Sequence, residues 1–290
     1  MCGIGGVFNA DRQQTVDRQL LVNMAAIQAH RGPDGFGVEV LDQAGVGFCH
    51  ARLSIIDLNE SRARQPFLTD DGEVLMAHNG EFYDFQRIRA DLTAQGVRFS
   101  SKSDSEILLR LYQRQGLEAT LPLLRGEFAF ALFDRAEDCL YLVRDRFGIK
   151  PQYWAMTPEG LVFGSELKVL FAHPAVERRF TSEGLFHQLM QTMVPGTTAF
   201  AGVHQVKPGH VLKVQRVNGH IWRCRSPSTG TSTFRARTSG TPIEPKPTTS
   251  LPSVRHCWRP LSCAWWLTSR WVVTSPAAST AVRSLAWPQP

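Results

Sequence analysis

The chain changes character near residue 221, and that break bounds how much of it can build a core. Up to about residue 205, strand-like runs alternate with helix-like ones. From Arg223 to Ser253, Thr, Ser, Pro and Arg dominate, and no apolar period of 2 or 3.6 survives. Asp and Tyr vanish beyond the break, while six of the seven tryptophans fall at or after Trp222. Residues 1 to 221 hold 25 acids and 23 bases, whereas the remaining 69 hold one acid, Glu244, against nine bases. The net charge of +6 is therefore a property of the tail. It does not describe a basic face on a folded domain, and a nucleic-acid-binding reading is set aside.

The 43% hydrophobic content of 290 residues suffices for one large core or two small ones. No basic segment followed by an apolar run opens the chain, and no stretch of about eighteen apolar residues occurs, so a cytoplasmic protein without membrane contact is expected. Cys2, Cys49, Cys139, Cys224, Cys257 and Cys263 lie far apart without CxxC spacing. Reduced thiols are expected, with neither a zinc site nor a disulfide framework.

Periodicity gives a mixed α+β domain. Cys2 to Phe8 and Val38 to Phe48 read as strands, and Leu53 to Leu58 continues the pattern after a turn. Val16, Leu20, Met24 and Ile27 recur at helical spacing and mark an amphipathic helix that stops near Gly32-Pro33. Val74 to Ala77 predicts a short strand ending in a turn at Asn79-Gly80. A second helix starts in Ser103-Asp104-Ser105-Glu106, with Asp104 or Ser103 as its cap. Glu127 to Asp134 and Cys139 to Arg144 read as a hairpin of buried strands, and Leu161 to Gly164 as another strand. Such sheets need helices to cover them.

Chemistry enters at the N-terminus. In Met1-Cys2-Gly3-Ile4-Gly5-Gly6 a thiol follows the initiator methionine, and glycines let other backbone come close. With Met1 removed, Cys2 supplies a nucleophile and, through an α-amine of ordinary pKa about 7.7 to 8.0, a base for its own proton. A substrate bearing an α-carboxylate and an α-ammonium needs a fork of donors at one end and carboxylates at the other. Arg52 suits the first need, Glu81 and Asp104 the second. A tetrahedral intermediate needs preorganised N–H donors, and Asn79 with Gly80 can offer a side-chain amide and a backbone amide.

The blocks Cys2-Gly3-Ile4, His30-Arg31-Gly32-Pro33-Asp34, Arg52-Leu53-Ser54-Ile55, His78-Asn79-Gly80-Glu81, Ser103-Asp104-Ser105-Glu106, Arg144 to Pro151 and Ser165-Glu166-Leu167-Lys168 occur in that order. Together they resemble the glutaminase domain of asparagine synthetases, a class II glutamine amidotransferase, over residues 2 to 212. The resemblance implies a four-layer αββα sandwich of the N-terminal-nucleophile hydrolase type and hydrolysis of L-glutamine to glutamate and ammonia. It assigns Cys2 as nucleophile, Asn79 and Gly80 as oxyanion hole, and Arg52, Glu81 and Asp104 as substrate contacts. It also implies that the Arg31 to Asp34 loop folds over the bound glutamine. The charged residues of Arg144 to Pro151 order the domain and its interface, and His30, His50 and His78 are structural. No cofactor is implied for this domain. ATP, magnesium and aspartate belong to the intact family and are not expected to bind this chain. Homodimer formation and a catalytically silent binding module stay open as alternatives.

The family continues into a second domain that wraps ATP with a Ser-Gly-Gly-x-Asp-Ser loop, which this chain lacks. Yet Ser275 to Ala281 can be encoded by TCT CCG GCG GCA TCG ACA GC, and starting from the last base of the first codon gives Ser-Gly-Gly-Ile-Asp-Ser. The same offset turns Ala264 to Val272 into Met-Val-Ala-Asp-Val-Pro-Val-Gly. Residues 222 to 290 are therefore expected to be an out-of-frame or disordered tail replacing the start of the synthetase domain, entered by a shift of reading frame near residues 221 to 224.

Overall fold

The computed structural model describes residues 1–58, 63–192, 194–217 and 220–224. The tail reading falls, beyond Cys224, outside the described residues. The strands are β1 (Gly3–Asn9), β2 (Gly35–Leu41), β3 (Val46–Arg52), β4 (Phe67–Leu68), β5 (Val74–Phe82), β6 (Gly126–Asp134), β7 (Cys139–Arg144), β8 (Tyr153–Met156), β9 (Gly160–Gly164), β10 (Val203–Gln205), β11 (Val211–Val217) and β12 (His220–Cys224). They form two six-stranded sheets, ordered β10-β8-β9-β1-β3-β2 and β12-β11-β7-β6-β5-β4, and every recorded strand pair is antiparallel. The helices are α1 (Arg18–Ile27), α2 (Phe85–Ala94), α3 (Ser105–Thr120), α4 (Leu167–Leu170) and α5 (Ser182–Leu189).

Three apolar layers separate four structural ones. Ile4, Phe8, Phe48, Leu75, Phe133, Leu142 and Phe163 fill the space between the sheets. Ile88, Leu92, Ile107, Leu108 and Leu111 of α2 and α3 pack on Met76, Phe128, Phe130 and Leu132 of the second sheet. Leu21, Met24 and Ala25 of α1, with Val169 and Leu170 of α4, cover Val7, Val38 and Val162 of the first. The strand period of two explains the sharing: along β6, Phe128, Phe130 and Leu132 face the helices while Ala131 and Phe133 face the other sheet. Strands buried on both faces lose the polar alternation of a half-exposed sheet, which is why β6 and β7 read as continuous apolar runs. This is the expected α+β sandwich of αββα layers.

Four local expectations are corrected. The run Val38 to Phe48 is the hairpin β2–β3, broken by a 3-10 turn at Asp42–Ala44 and by Gly45 at φ +57°. Leu53 to Leu58 is not a strand: the segment leaves the sheet after Arg52. Its backbone is tied to side chains instead, Ser54 N–H donating to Asp34 Oδ2 at 2.7 Å. Asn79-Gly80 is no turn, because β5 runs through it to Phe82 and pairs with β6 from Val74↔Asp134 to Phe82↔Gly126. The α1 helix also ends at Ile27, before the Gly32-Pro33 turn.

Candidate active site

The N-terminal end of β1, the C-terminal ends of β3 and β5, and the start of β6 meet at one end of the sandwich. A cavity of about 250 Å³ opens there, and Cys2, Arg52, Asn79, Gly80, Glu81 and Asp104 all line it. The structure thus brings together all six residues that the sequence singled out, although they come from four separate blocks. The size lies just below the roughly 300 Å³ at which drug-sized ligand sites begin, which suits an occupant of amino-acid dimensions.

Cys2 is held by close packing and by one backbone segment. A Cβ on Gly3 would lie 2.3 Å from Gln28 Oε1, and one on Gly6 2.6 Å from Gly47 O, so only glycines let β1 sit this deep. Leu53 N–H points at Cys2 Sγ at 3.4 Å, so the segment leaving β3 contacts the thiol. Burial pushes the Cys2 thiol up; the contact with Leu53, the terminal ammonium and Arg52 oppose this, and Asp104 reinforces it. The resting group is a thiol that needs a base. Met1 still precedes Cys2 here, and its Sδ lies 3.6 Å from Lys150 Nζ.

Arg52 is buried at the end of β3. One guanidinium nitrogen, Nη2, donates to the carbonyl of Asp57, and Nη1 is buried with no partner. Asn79 is wholly buried, and neither its Oδ1 nor its Nδ2 has a partner. Unpaired buried donors and acceptors cost free energy, so several in one cavity mark a place built for something else to complete. Gly80 has φ +154°, and a Cβ there would sit 2.1 Å from Glu127 O. Close approach of β6, rather than a turn, demands glycine at this position.

Asp104 occupies the N-cap position of α3 without making a side-chain cap bond. The Ser103 hydroxyl accepts from Ser105 N–H at 3.2 Å instead, and Asp104 Oδ2 accepts from Phe82 N–H at 2.9 Å. Burial raises the Asp104 carboxyl above the ordinary carboxylate range, against the hydrogen bonds that lower it. The loop before α3 is fixed from outside: Glu106 accepts from Ser100 and Ser101 N–H at 2.8 and 2.7 Å, and Arg89 donates to the carbonyls of Ser101 and Ser103 at 2.9 and 2.6 Å.

His50 and His78 line the same cavity but are buried and neutral. Burial lowers each to about 3, and the charge of Lys150 pushes His78 the same way. His50 Nε2 lies 3.1 Å from the His78 carbonyl, and His78 Nδ1 lies 2.7 Å from Ser105 Oγ, while the His78 ring stacks on Phe82. These contacts fit packing and orientation, not proton transfer. His30 lies on the Arg31 loop, 2.9 Å from Glu166.

The sequence reading missed Glu127 and Lys150. Glu127 stands directly opposite Glu81 in the β5–β6 register, an unfavourable pairing of like charges. Lys150 Nζ, 3.2 Å from Glu127 Oε1 and largely buried, offsets it. Lys150 was legible only as part of the Arg144 to Pro151 run, and nothing local places that run beside Cys2. The rest of the run orders the backbone: Asp145 accepts from the N–H groups of Phe147, Ile149 and Lys150, each at 3.0 Å.

Residues 1–222 match the family described as glutamine amidotransferase domain. Asparagine synthetase (glutamine-hydrolyzing) 3 of Bacillus subtilis (strain 168) is 32% identical over 225 residues, covering 77% of this chain and 36% of the relative. Amidase chry2 of Gibberella zeae is 39% identical over 223 residues, covering 73% and 32%. The chain thus spans about a third of the length of these curated relatives. A solved structure described as the allosteric regulatory enzyme of purine biosynthesis shares the fold, with a TM-score of 0.57 at 19% identity over 77% of this chain and 49% of that one. Among the described residues no helix is long and apolar enough to cross a membrane.

Proposed function

The chain belongs to the glutamine amidotransferase domain family, and from that premise we propose that it hydrolyses L-glutamine with Cys2 as nucleophile once Met1 is removed. The free α-amine of Cys2 takes the thiol proton, and the thiolate attacks the side-chain amide carbon. The oxyanion is stabilised by Asn79 Nδ2 and Gly80 N–H. The amine returns the proton to the leaving nitrogen, ammonia departs, and water releases glutamate from the thioester. Arg52 Nη1 takes the α-carboxylate, and Glu81 and Asp104 take the α-ammonium. The observation that carries this reading is the coincidence, in one cavity of about 250 Å³, of the Cys2 thiol with the unpartnered amide of Asn79 and the unpartnered Nη1 of Arg52.

The test is glutamate and ammonia release from glutamine by the Met1-processed chain. Turnover that disappears in Cys2→Ala supports the assignment; no turnover, or equal turnover in Cys2→Ala, overturns it.

The fate of the ammonia is a second proposal. In asparagine synthetases it would amidate an aspartate activated by ATP and magnesium. The residues that encode an ATP loop here only in a shifted frame, Ser275 to Ala281, lie outside the described residues. We propose that the shift of reading frame leaves residues 222 to 290 without the ATP-binding loop that would activate an acceptor for this ammonia. Sequencing the gene through codons 221 to 224 tests the shift, and ATP-dependent asparagine formation by the purified chain would overturn it.

A further inference from the structure

The Ser165-Glu166-Leu167-Lys168 block has no role in the chemistry above, yet it reaches the nucleophile's backbone through Arg31. Arg31 Nε donates to the Cys2 carbonyl at 2.9 Å. Arg31 Nη1 is held in turn by Glu166 Oε1 at 3.0 Å. Glu166 also gathers His30 Nε2 at 2.9 Å and Lys168 Nζ at 3.2 Å. Lysine can only donate, so Lys168 Nζ at 3.5 Å from His30 Nδ1 fixes the ring with its proton on Nε2, facing Glu166. Burial pushes the Glu166 carboxyl up, and the bonds from Arg31, His30 and Lys168 outweigh that and bring it below the ordinary range.

One residue before Glu166, the same block grips the first strand again. Ser165 N–H donates to the Ile4 carbonyl, and Ser165 Oγ accepts from Ile4 N–H, both at 2.9 Å. The loop carrying Arg31 cannot drift: a Cβ on Gly32 would lie 2.3 Å from the Ala51 backbone, and Asp34 N–H donates to the Arg52 carbonyl at 3.0 Å. Arg31 is itself buried, with Nε and Nη1 engaged and Nη2 without a partner.

The geometry points to Glu166 as a positioning residue that acts through Arg31 to fix the Cys2 carbonyl, and with it the place of the Cys2 thiol and α-amine against the cavity. In an N-terminal nucleophile one residue carries both reacting groups. The side-chain torsion N–Cα–Cβ–Sγ sets the amine against the thiol, while the carbonyl held by Arg31 Nε sets where that whole residue sits against the cavity. A planar fork is required because one guanidinium must serve the carbonyl and the carboxylate together. This inference rests on Cys2 being the nucleophile of glutamine hydrolysis.

Glu166→Gln in the full Met1-processed chain tests it, alongside Arg31→Lys and the double variant. Each single variant is expected to lower kcat on the order of 10²-fold, the cost of a misplacement of about 1 Å, with KM for glutamine close to wild type. Iodoacetamide alkylation of Cys2 slows in parallel. The double variant is expected to lose no more than the worse single one, because both changes break one clamp. A folded Glu166→Gln protein with unchanged kcat and alkylation overturns the proposal, as do losses that multiply or that fall on KM alone. Slower alkylation with no glutamine turnover even by the wild type would overturn the glutaminase reading while supporting the clamp.

Discussion

Arg52 and Arg144 are both buried, each 7% exposed, and the contrast between their surroundings separates the site from its scaffold. Arg144 saturates its fork on backbone: Nε donates to Lys150 O at 2.8 Å, Nη1 to Val206 O at 2.8 Å and Nη2 to Gly148 O at 2.5 Å. Arg52 makes one backbone bond, to Asp57, and leaves Nη1 buried and bare beside the thiol. A bare buried donor that lines a cavity is placed to meet a ligand, whereas Arg144 has no nitrogen left over. Each arginine opens a motif block to which the family resemblance gives a different task, and the number of partners is the physical counterpart of that difference.

The comparison breaks first at Asn79, whose unpartnered amide is the extreme case on the site side. Asn79→Ala is expected to lower kcat for glutamine hydrolysis by about 10²- to 10³-fold, the usual cost of one oxyanion donor, with unfolding in urea little changed. A loss of stability without a loss of kcat would return Asn79 to the scaffold.

Arg144→Leu probes the opposite extreme. It leaves three buried carbonyls short of a donor, and destabilisation of about 3 kcal/mol is expected in denaturant titration, with the folded fraction retaining its KM. An unchanged midpoint with a raised KM would reverse the assignment of the two arginines.

Arg52→Lys sharpens the distinction from the site side. It keeps the charge and loses the fork, so KM should rise by roughly ten- to a hundredfold while kcat falls less. An effect confined to stability would show that Nη1 has no ligand.

The histidine pair lies between the two cases, lining the cavity but buried and neutral. Both folded-state values are lowered to about 3 from an ordinary 6.5. Between those limits the unfolded chain binds more protons than the folded one, so stability is full above about pH 6.5 and is lost as pH falls toward 3. Each histidine contributes a slope of about 1.4 kcal/mol per pH unit within the window. His50→Gln should flatten the acid limb of the stability profile; a slope identical to wild type would mean that His50 titrates normally.

Much of this was legible before any coordinates. The buried apolar runs of β6 and β7, the helical spacing of Met24 and its neighbours, and the helix from Ser105 all stand where the sequence pattern put them. The Asn-Gly dipeptide misled, because its turn preference is local and weak beside nine consecutive pairings between β5 and β6. Leu53 to Leu58 misled for the opposite reason. Its apolar residues Ile55 and Leu58 are 70% and 77% exposed, so the pattern matched a strand that has no partner to pair with. Asp104 looked like a helix cap because caps and substrate carboxylates share the same residue types; the Ser103 hydroxyl took over the capping bond.

By itself the sequence determined the layered α+β fold class and the identities of the candidate reacting groups, because periodicity and short motifs are written within a few residues of one another. Tertiary structure alone decided that Lys150 would offset Glu127 across from Glu81, and that Glu166 would reach back 135 positions to clamp Arg31 against Cys2. Those contacts depend on how two sheets and the loops at one end pack. Packing is a property of the whole core, and no local preference records it.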